Sequence, residues 1–405
     1  MVSNPSGPTR ALVLAGGGAR GAYEAGVLSY LYEEMPKELV APGRIRVFCG
    51  TSVGAIHAAY LAGTAHHVGG NLSELLRFWR SLRIESIFRW RLKHMFELPR
   101  DIRSMWDHRS GPGRGIIIES GELQQLVASS IPWLSMRRNL RRGLVKAVTV
   151  TASHVASGRT EVFVDSDEEK ELEWTRDPRR VARRCHIGPA HVLASAAMPF
   201  LFPAVRVHGC YYVDGGLRQN TPLSPALRLG ADRVMVVSLA SHKSFPAIGD
   251  LEGPHNDPYP DPLMLCGKIL DALLLDHVDY DLERLESINT IMRDGNSAFG
   301  GQFLTHLSDT STQLRGVPYR VVESCVIRPS IDLGEMSVQY LEDNQNRFKR
   351  VLRWLLRTAS STPLLGTSDL LSFILFDGAF AERLIELGRH DAYSNREQLL
   401  KFLRD

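Results

Sequence analysis

Three short stretches of the 405-residue chain carry residue types at spacings that could do chemistry. Gly50-Thr-Ser-Val-Gly54 is a G-x-S-x-G motif, with the strand-like run Arg46 to Cys49 before it and the small-residue helical pattern Ala55 to Ala62 after it. In that context Gly50 and Gly54 let the backbone turn sharply, and Ser52 projects at a helix N-terminus where the dipole favours developing negative charge. This is the setting of a nucleophilic serine. Gly16-Gly-Gly-Ala-Arg-Gly21 opens an earlier helix, and a glycine-rich loop can aim backbone N–H groups at the oxyanion formed when a serine attacks an ester. Arg20 would add charge or anchor that loop. The same residues fit G-x-G-x-x-G, but dinucleotide binding needs an acidic residue about twenty positions on, at the end of the second strand. Glu33 and Glu34 fall inside the helix and the second strand ends in Cys49-Gly50, which disfavours a dinucleotide.

A serine needs a base. None of the 14 histidines stands in a motif. In the α/β-hydrolase order the elbow follows several strands and the histidine comes last, whereas here the elbow is second and the last histidine, His390, lies in a polar helical tail. His57, one and a half turns past Ser52, reads as a packed or surface helix residue. Asp214 is the better candidate, because it ends the strand Cys210 to Val213 against Gly215 and Gly216, which lets a carboxylate reach a neighbouring loop. Taken alone, Asp-Gly-Gly is also an ordinary turn.

The elements that must position these residues are strands alternating with helical patterns, which predicts a mostly parallel sheet with helices on both faces. Further strands are expected at Leu144 to Val150, Thr160 to Val164, Ala204 to Val207 and Arg233 to Leu239, with a helix from Pro222 to Leu229. Past Ser241 a proline-rich linker leads into helical patterns through Leu356. At 44% hydrophobic and 23% charged, the chain has material for a large core. No apolar run reaches the roughly eighteen residues of a membrane span, and Met1 to Arg10 is too short and polar for a signal peptide. The five cysteines, Cys49, Cys185, Cys210, Cys266 and Cys325, form no C-x-x-C pair, stand beside no histidine at ligand spacing, and read as reduced, mostly buried thiols of a cytoplasmic protein. A net charge of +3 gives no global argument for nucleic acid.

Gly16-Gly-Gly-Ala-Arg-Gly21, Gly50-Thr-Ser-Val-Gly54 and Asp214-Gly-Gly216, in this order, resemble the three blocks of the patatin-like phospholipases. Ala194-Ser-Ala-Ala-Met-Pro-Phe-Leu-Phe-Pro203, Asn220-Thr-Pro222 with Gly230-Ala-Asp-Arg-Val234, and the tail Leu371 to Gly388 are similar to that family as well. The insertion Asn71 to Gly115 and the acidic loop near Asp167 are not carried over from it. The resemblance implies a three-layer α/β/α sandwich, with a catalytic domain over 10–335 and a helical C-terminal extension over 336–405 packed on it. It implies Ser52 as nucleophile, Asp214 as general base and the N–H groups around Gly16, Gly17 and Gly18 as the oxyanion hole, supported by Arg20, Gly21, Gly50, Gly54, Gly215 and Gly216. No metal or organic cofactor is required.

The expected function is therefore hydrolysis of carboxyl esters in phospholipids or related glycerolipids through an acyl-enzyme. A lipid-binding regulatory protein with slow turnover is the alternative from another class, and an acyltransferase or thioesterase could use the same dyad. No motif encodes headgroup preference or oligomeric state. Between Arg77 and Arg114 ten Arg or Lys stand against four Asp or Glu, interleaved with Phe78, Trp79, Phe88, Trp90, Phe96 and Trp106. Such a mixture suits peripheral contact with an anionic membrane, and equally a cap whose aromatics pack on the core.

Overall fold

The strand β1 (Arg10–Leu14) explains the layering, because its five residues are all buried yet successive side chains point to opposite faces. Leu12 and Leu14 enter one core with Phe48, Val148 and Met235, whereas Ala11 and Val13 enter another with Val47, Cys49 and Val234. A strand apolar on both faces requires helices on both sides of its sheet. This computed structural model describes residues 7–69, 71–83, 121–168, 174, 179–199, 201–241, 277–344, 346–348 and 368–404.

After β1 come a 3₁₀ turn (Gly18–Arg20), α1 (Gly21–Ser29), β2 (Ile45–Thr51), α2 (Val53–Thr64), α3 (Ser73–Ser81), α4 (Gly121–Ser130) and α5 (Trp133–Arg141). Next are β3 (Ala147–His154), β4 (Thr160–Ser166), β5 (Arg180–Arg184), α6 (Pro189–Ser195), β6 (Val205–Val207) and β7 (Cys210–Asp214). The chain continues through α7 (Gly216–Gln219), α8 (Leu223–Arg228), β8 (Arg233–Val237), α9 (His277–Phe299), α10 (Gly301–Arg315) and β9 (Glu323–Ile327). It closes with α11 (Leu333–Asp343), α12 (Ser368–Ile374), α13 (Gly378–Ser394) and α14 (Arg396–Leu403). The sheet order is β5-β4-β3-β2-β1-β8-β9, parallel except between β3 and β4, with the β6–β7 hairpin joined antiparallel to β3 through β7.

The α/β/α sandwich expected from the sequence is present, with two strands the sequence reading lacked. β9 lies within the stretch read as helical past the linker, and β5 lies in the basic segment after the acidic loop. Both sit at the ends of the strand order, and edge strands carry weak apolar patterns because one flank is solvated. Residue 335 falls inside α11. The tail packs against the core: α13 crosses α1 at Gly26 and Gly388, where an added Cβ would sit 2.1 Å from Ile385 O and 2.2 Å from Tyr23 O. Among the described residues no helix is long and apolar enough to cross a membrane.

Candidate active site

β2 hands the chain to α2 at Ser52, whose φ of 54° and ψ of −124° lie in the strained region non-glycine residues avoid. Such strain costs about 1–3 kcal/mol and persists only where the surroundings hold it. Here they do. A Cβ on Gly50 would lie 2.1 Å from Gly54 O, and one on Gly54 would lie 2.2 Å from Leu14 O, so no larger residue fits on either side of the turn. The Ser52 N–H donates to Ser195 Oγ at 2.8 Å, and that hydroxyl donates to Thr151 O at 2.5 Å, fastening the elbow to α6 and β3.

Asp214 reaches the serine through the antiparallel pairing of β7 with β3, which sets Asp214 opposite Ala152. Its N–H donates to Ala197 O at 2.9 Å. Ser52 Oγ donates to Asp214 Oδ2 at 2.6 Å, and the Gly216 N–H donates to Oδ1 at 2.7 Å. Both side chains are buried, the carboxylate completely. Burial pushes the Asp214 carboxyl up to about 6, against the opposing pull of the bonds from Ser52 and Gly216. The sequence-derived pair is thus brought together across 162 positions.

The glycine loop is held from three directions. The Gly16 N–H donates to Asn220 O at 3.2 Å, and Asn220 Nδ2 returns a bond to Gly16 O at 2.9 Å. Arg20 anchors the loop to the C-terminal tail, its Nε donating to Ser372 Oγ at 2.8 Å while the guanidinium stacks 4.1 Å above the Phe373 ring. The third hold is Glu24. Its Oε1 accepts the Ala15 N–H at 2.7 Å and its Oε2 faces His57 Nδ1 at 2.7 Å, while Trp79 Nε1 donates to His57 Nε2 at 3.0 Å. An indole N–H can only donate, so His57 Nε2 is an acceptor and the ring proton sits on Nδ1, directed at Glu24. Burial pushes His57 down to about 3 and Glu24 well above its usual range, leaving the imidazole neutral. Both nitrogens of His57 are therefore occupied within the fold.

An apolar pocket opens beside Ser52, walled by Val53, Ile56, Phe78, Trp79, Phe373 and Phe376 among others. Apolar and aromatic walls of this kind commonly line ligand pockets. Phe78 and Trp79, for which the sequence offered membrane contact or packing on the core, are 8% and 1% exposed and pack in the core. The remaining aromatics of that stretch, Phe88, Trp90, Phe96 and Trp106, lie outside the described residues, as do residues 169–173 of the acidic loop.

Ser195, Asn220, Glu24 and the tail residues Ser372, Phe373 and Phe376 were given no role by the sequence. Glu24 did leave a signal, as the one charged residue in the otherwise apolar helix Gly21–Ser29, whose residues are all buried.

The model of the patatin-like phospholipase family matches residues 12–227. Comparison with curated proteins returns no match. Among solved structures the chain is similar to VipD from Legionella pneumophila, at 14% identity and a TM-score of 0.30 over 91% of each chain. It is also similar to human GIVD cytosolic phospholipase A2, at 13% identity and a TM-score of 0.30 over 63% of this chain and 46% of that one. ExoU with SpcU, from the type III secretion system of Pseudomonas aeruginosa, gives 15% identity and a TM-score of 0.26 over 98% of this chain and 72% of the other. The sequence match, which spans β2, α2 and β7 with both Ser52 and Asp214, is what decides the assignment. The chain belongs to the patatin-like phospholipases, a family of lipid acyl hydrolases.

Proposed function

We propose that the chain cleaves carboxyl esters of phospholipids or related glycerolipids, with Ser52 as nucleophile and Asp214 as general base. The reading is carried by the 2.6 Å contact from Ser52 Oγ to Asp214 Oδ2 where Ser52 lines the apolar cavity. Asp214 takes the hydroxyl proton as Oγ attacks the ester carbonyl. The N–H groups of Gly17 and Gly18 meet the tetrahedral oxyanion, since Asn220 holds that of Gly16; each such donor contributes about 3 kcal/mol. The proton then passes from Asp214 to the leaving alkoxide, which departs as the alcohol and leaves the acyl group on Ser52. Asp214 next deprotonates a water that attacks the acyl-enzyme, the fatty acid leaves, and Oγ recovers its proton. A carboxyl held near 6 is a stronger base than a solvated one and is still ionised at neutral pH. The apolar walls supply the burial an acyl chain needs.

Purified protein incubated with mixed phospholipid and glycerolipid vesicles tests this by lipid analysis of the products. Free fatty acid should accumulate with wild type, together with labelling by a fluorophosphonate probe, and Ser52→Ala should lose both. Undiminished fatty acid release by Ser52→Ala would overturn the assignment.

A further inference from the structure

We propose that Cys185, His191 and His208 form a zinc(II) site that clamps α6 to the β6–β7 hairpin, apart from the Ser52–Asp214 centre. The three residues come from separate pieces of chain. Cys185 follows β5, His191 lies in the first turn of α6, and His208 is in the two-residue turn between β6 and β7. Their ligand atoms lie within 4.8 Å of one another, the one such group among the described residues. A thiolate with two imidazoles is a donor set that suits zinc.

The spacing agrees with tetrahedral coordination. Zinc at about 2.3 Å from sulfur and about 2.05 Å from nitrogen sets a sulfur and a nitrogen about 3.6 Å apart, and two nitrogens about 3.3 Å apart. Cys185 Sγ lies 3.6 Å from His191 Nε2, which lies 3.2 Å from His208 Nε2. The remaining pair, Cys185 and His208, is the one an exposed ring can adjust, and His208 is exposed.

A second observation comes from the turn itself. His208 and Gly209 have φ of 47° and 86°, a left-handed pair of the kind that favours Asn-Gly in a two-residue hairpin. Asparagine is the commoner residue at this position, and the histidine that stands there directs an imidazole at His191.

Binding has a definite proton balance. The Gly188 N–H donates to His191 Nδ1 at 3.2 Å, so without metal the ring proton sits on Nε2, directed at His208. Coordination moves that proton to Nδ1, releases the Cys185 thiol proton to solvent, and leaves the Gly188 N–H to water. One neutral hydrogen bond at a helix start is small against three coordinate bonds. A water completes the fourth position. α6 ends at Ser195, which holds the Ser52 N–H, and the hairpin ends at Asp214; the ion would therefore brace both elements from behind.

The full chain, stripped of metal, tests this with zinc(II) and cobalt(II) salts alone. Cobalt should give a thiolate charge-transfer band that saturates at one equivalent, absent in Cys185→Ser and lost in His208→Asn. Saturating zinc should raise the Tm of wild type by several degrees. His208→Asn places the preferred residue in the turn, so its metal-free Tm should equal or exceed that of wild type, with no further rise in zinc. Absence of the cobalt band in wild type, or a band and a zinc shift of undiminished size in His208→Asn, would overturn the site.

Discussion

Asp214 and Glu24 are both fully buried carboxyls close to the elbow, burial pushes both upward, and each accepts one backbone N–H. They differ in the second oxygen. Glu24 Oε2 faces an imidazole whose other nitrogen is already taken by Trp79, so every polar atom of that chain is committed to holding the strand end at Ala15. Asp214 Oδ2 instead accepts from the Ser52 hydroxyl, a donor that is itself the atom able to react. Burial makes a carboxylate basic, and the identity of the donor left on it decides whether that basicity moves a proton or merely fixes a loop. The comparison also explains why His57, close to Ser52 in sequence, has no nitrogen available as a base.

Four experiments break or sharpen this contrast. Ser52→Ala removes the nucleophile and should lower kcat by about 10⁴-fold or more, measured as fatty acid release. Asp214→Asn keeps the shape of the dyad without its base and should lower the rate at least about 100-fold.

The same variant carries a stability signature. The folded carboxyl titrates near 6 and the unfolded one near 4, so the native state binds the proton more tightly. Its stabilising contribution is present below about 4 and is lost as pH rises through about 6. Asp214→Asn should therefore be more stable than wild type by about 3 kcal/mol at pH 8 and show no such advantage at pH 3.5, in paired thermal melts. In wild type the rate should fall as pH drops through about 6, because the base must be ionised.

At Glu24 the effect on rate should be smaller, and the effect on stability opposite in sign. Glu24→Gln turns an amide donor towards the His57 Nδ1–H, which should destabilise the fold by about 1–3 kcal/mol and slow hydrolysis roughly tenfold through a looser oxyanion loop. A rise in stability with a loss as large as that of Asp214→Asn would reverse the two roles. Trp79→Phe keeps a cavity wall but leaves His57 Nε2 without its donor; a loss of about 1 kcal/mol in chemical denaturation and a rate change of only two- to threefold are expected.

Much of the candidate site was legible because its signals are local. A strand, a glycine turn, an exposed-type nucleophile and a helix start occupy one stretch around Ser52, and Asp214 is marked by the glycines that follow it. The assignment of His57 to packing also followed from its place on a helix without a motif. For Phe78 and Trp79 the sequence left lipid contact and core packing both open, because an aromatic beside an arginine looks the same in sequence whether it faces lipid or a cavity.

By itself, then, the sequence determined the alternation of the central strands with helices, the elbow and its glycines, and the class of chemistry, since each depends on residues a few positions apart whose backbone preferences act locally. The tertiary structure decided that Asp214, the carboxylate the sequence favoured, meets the serine, and it alone set Glu24 against His57. Asp214 and Glu24 are separated from their partners Ser52 and His57 by 162 and 33 residues. It also brought Ser372, Phe373 and Phe376 from the tail into the wall and anchor of the site, and it paired β5 and β9 onto the ends of the sheet. Contacts across such distances arise from burial and strand register, which no window of neighbouring residues encodes.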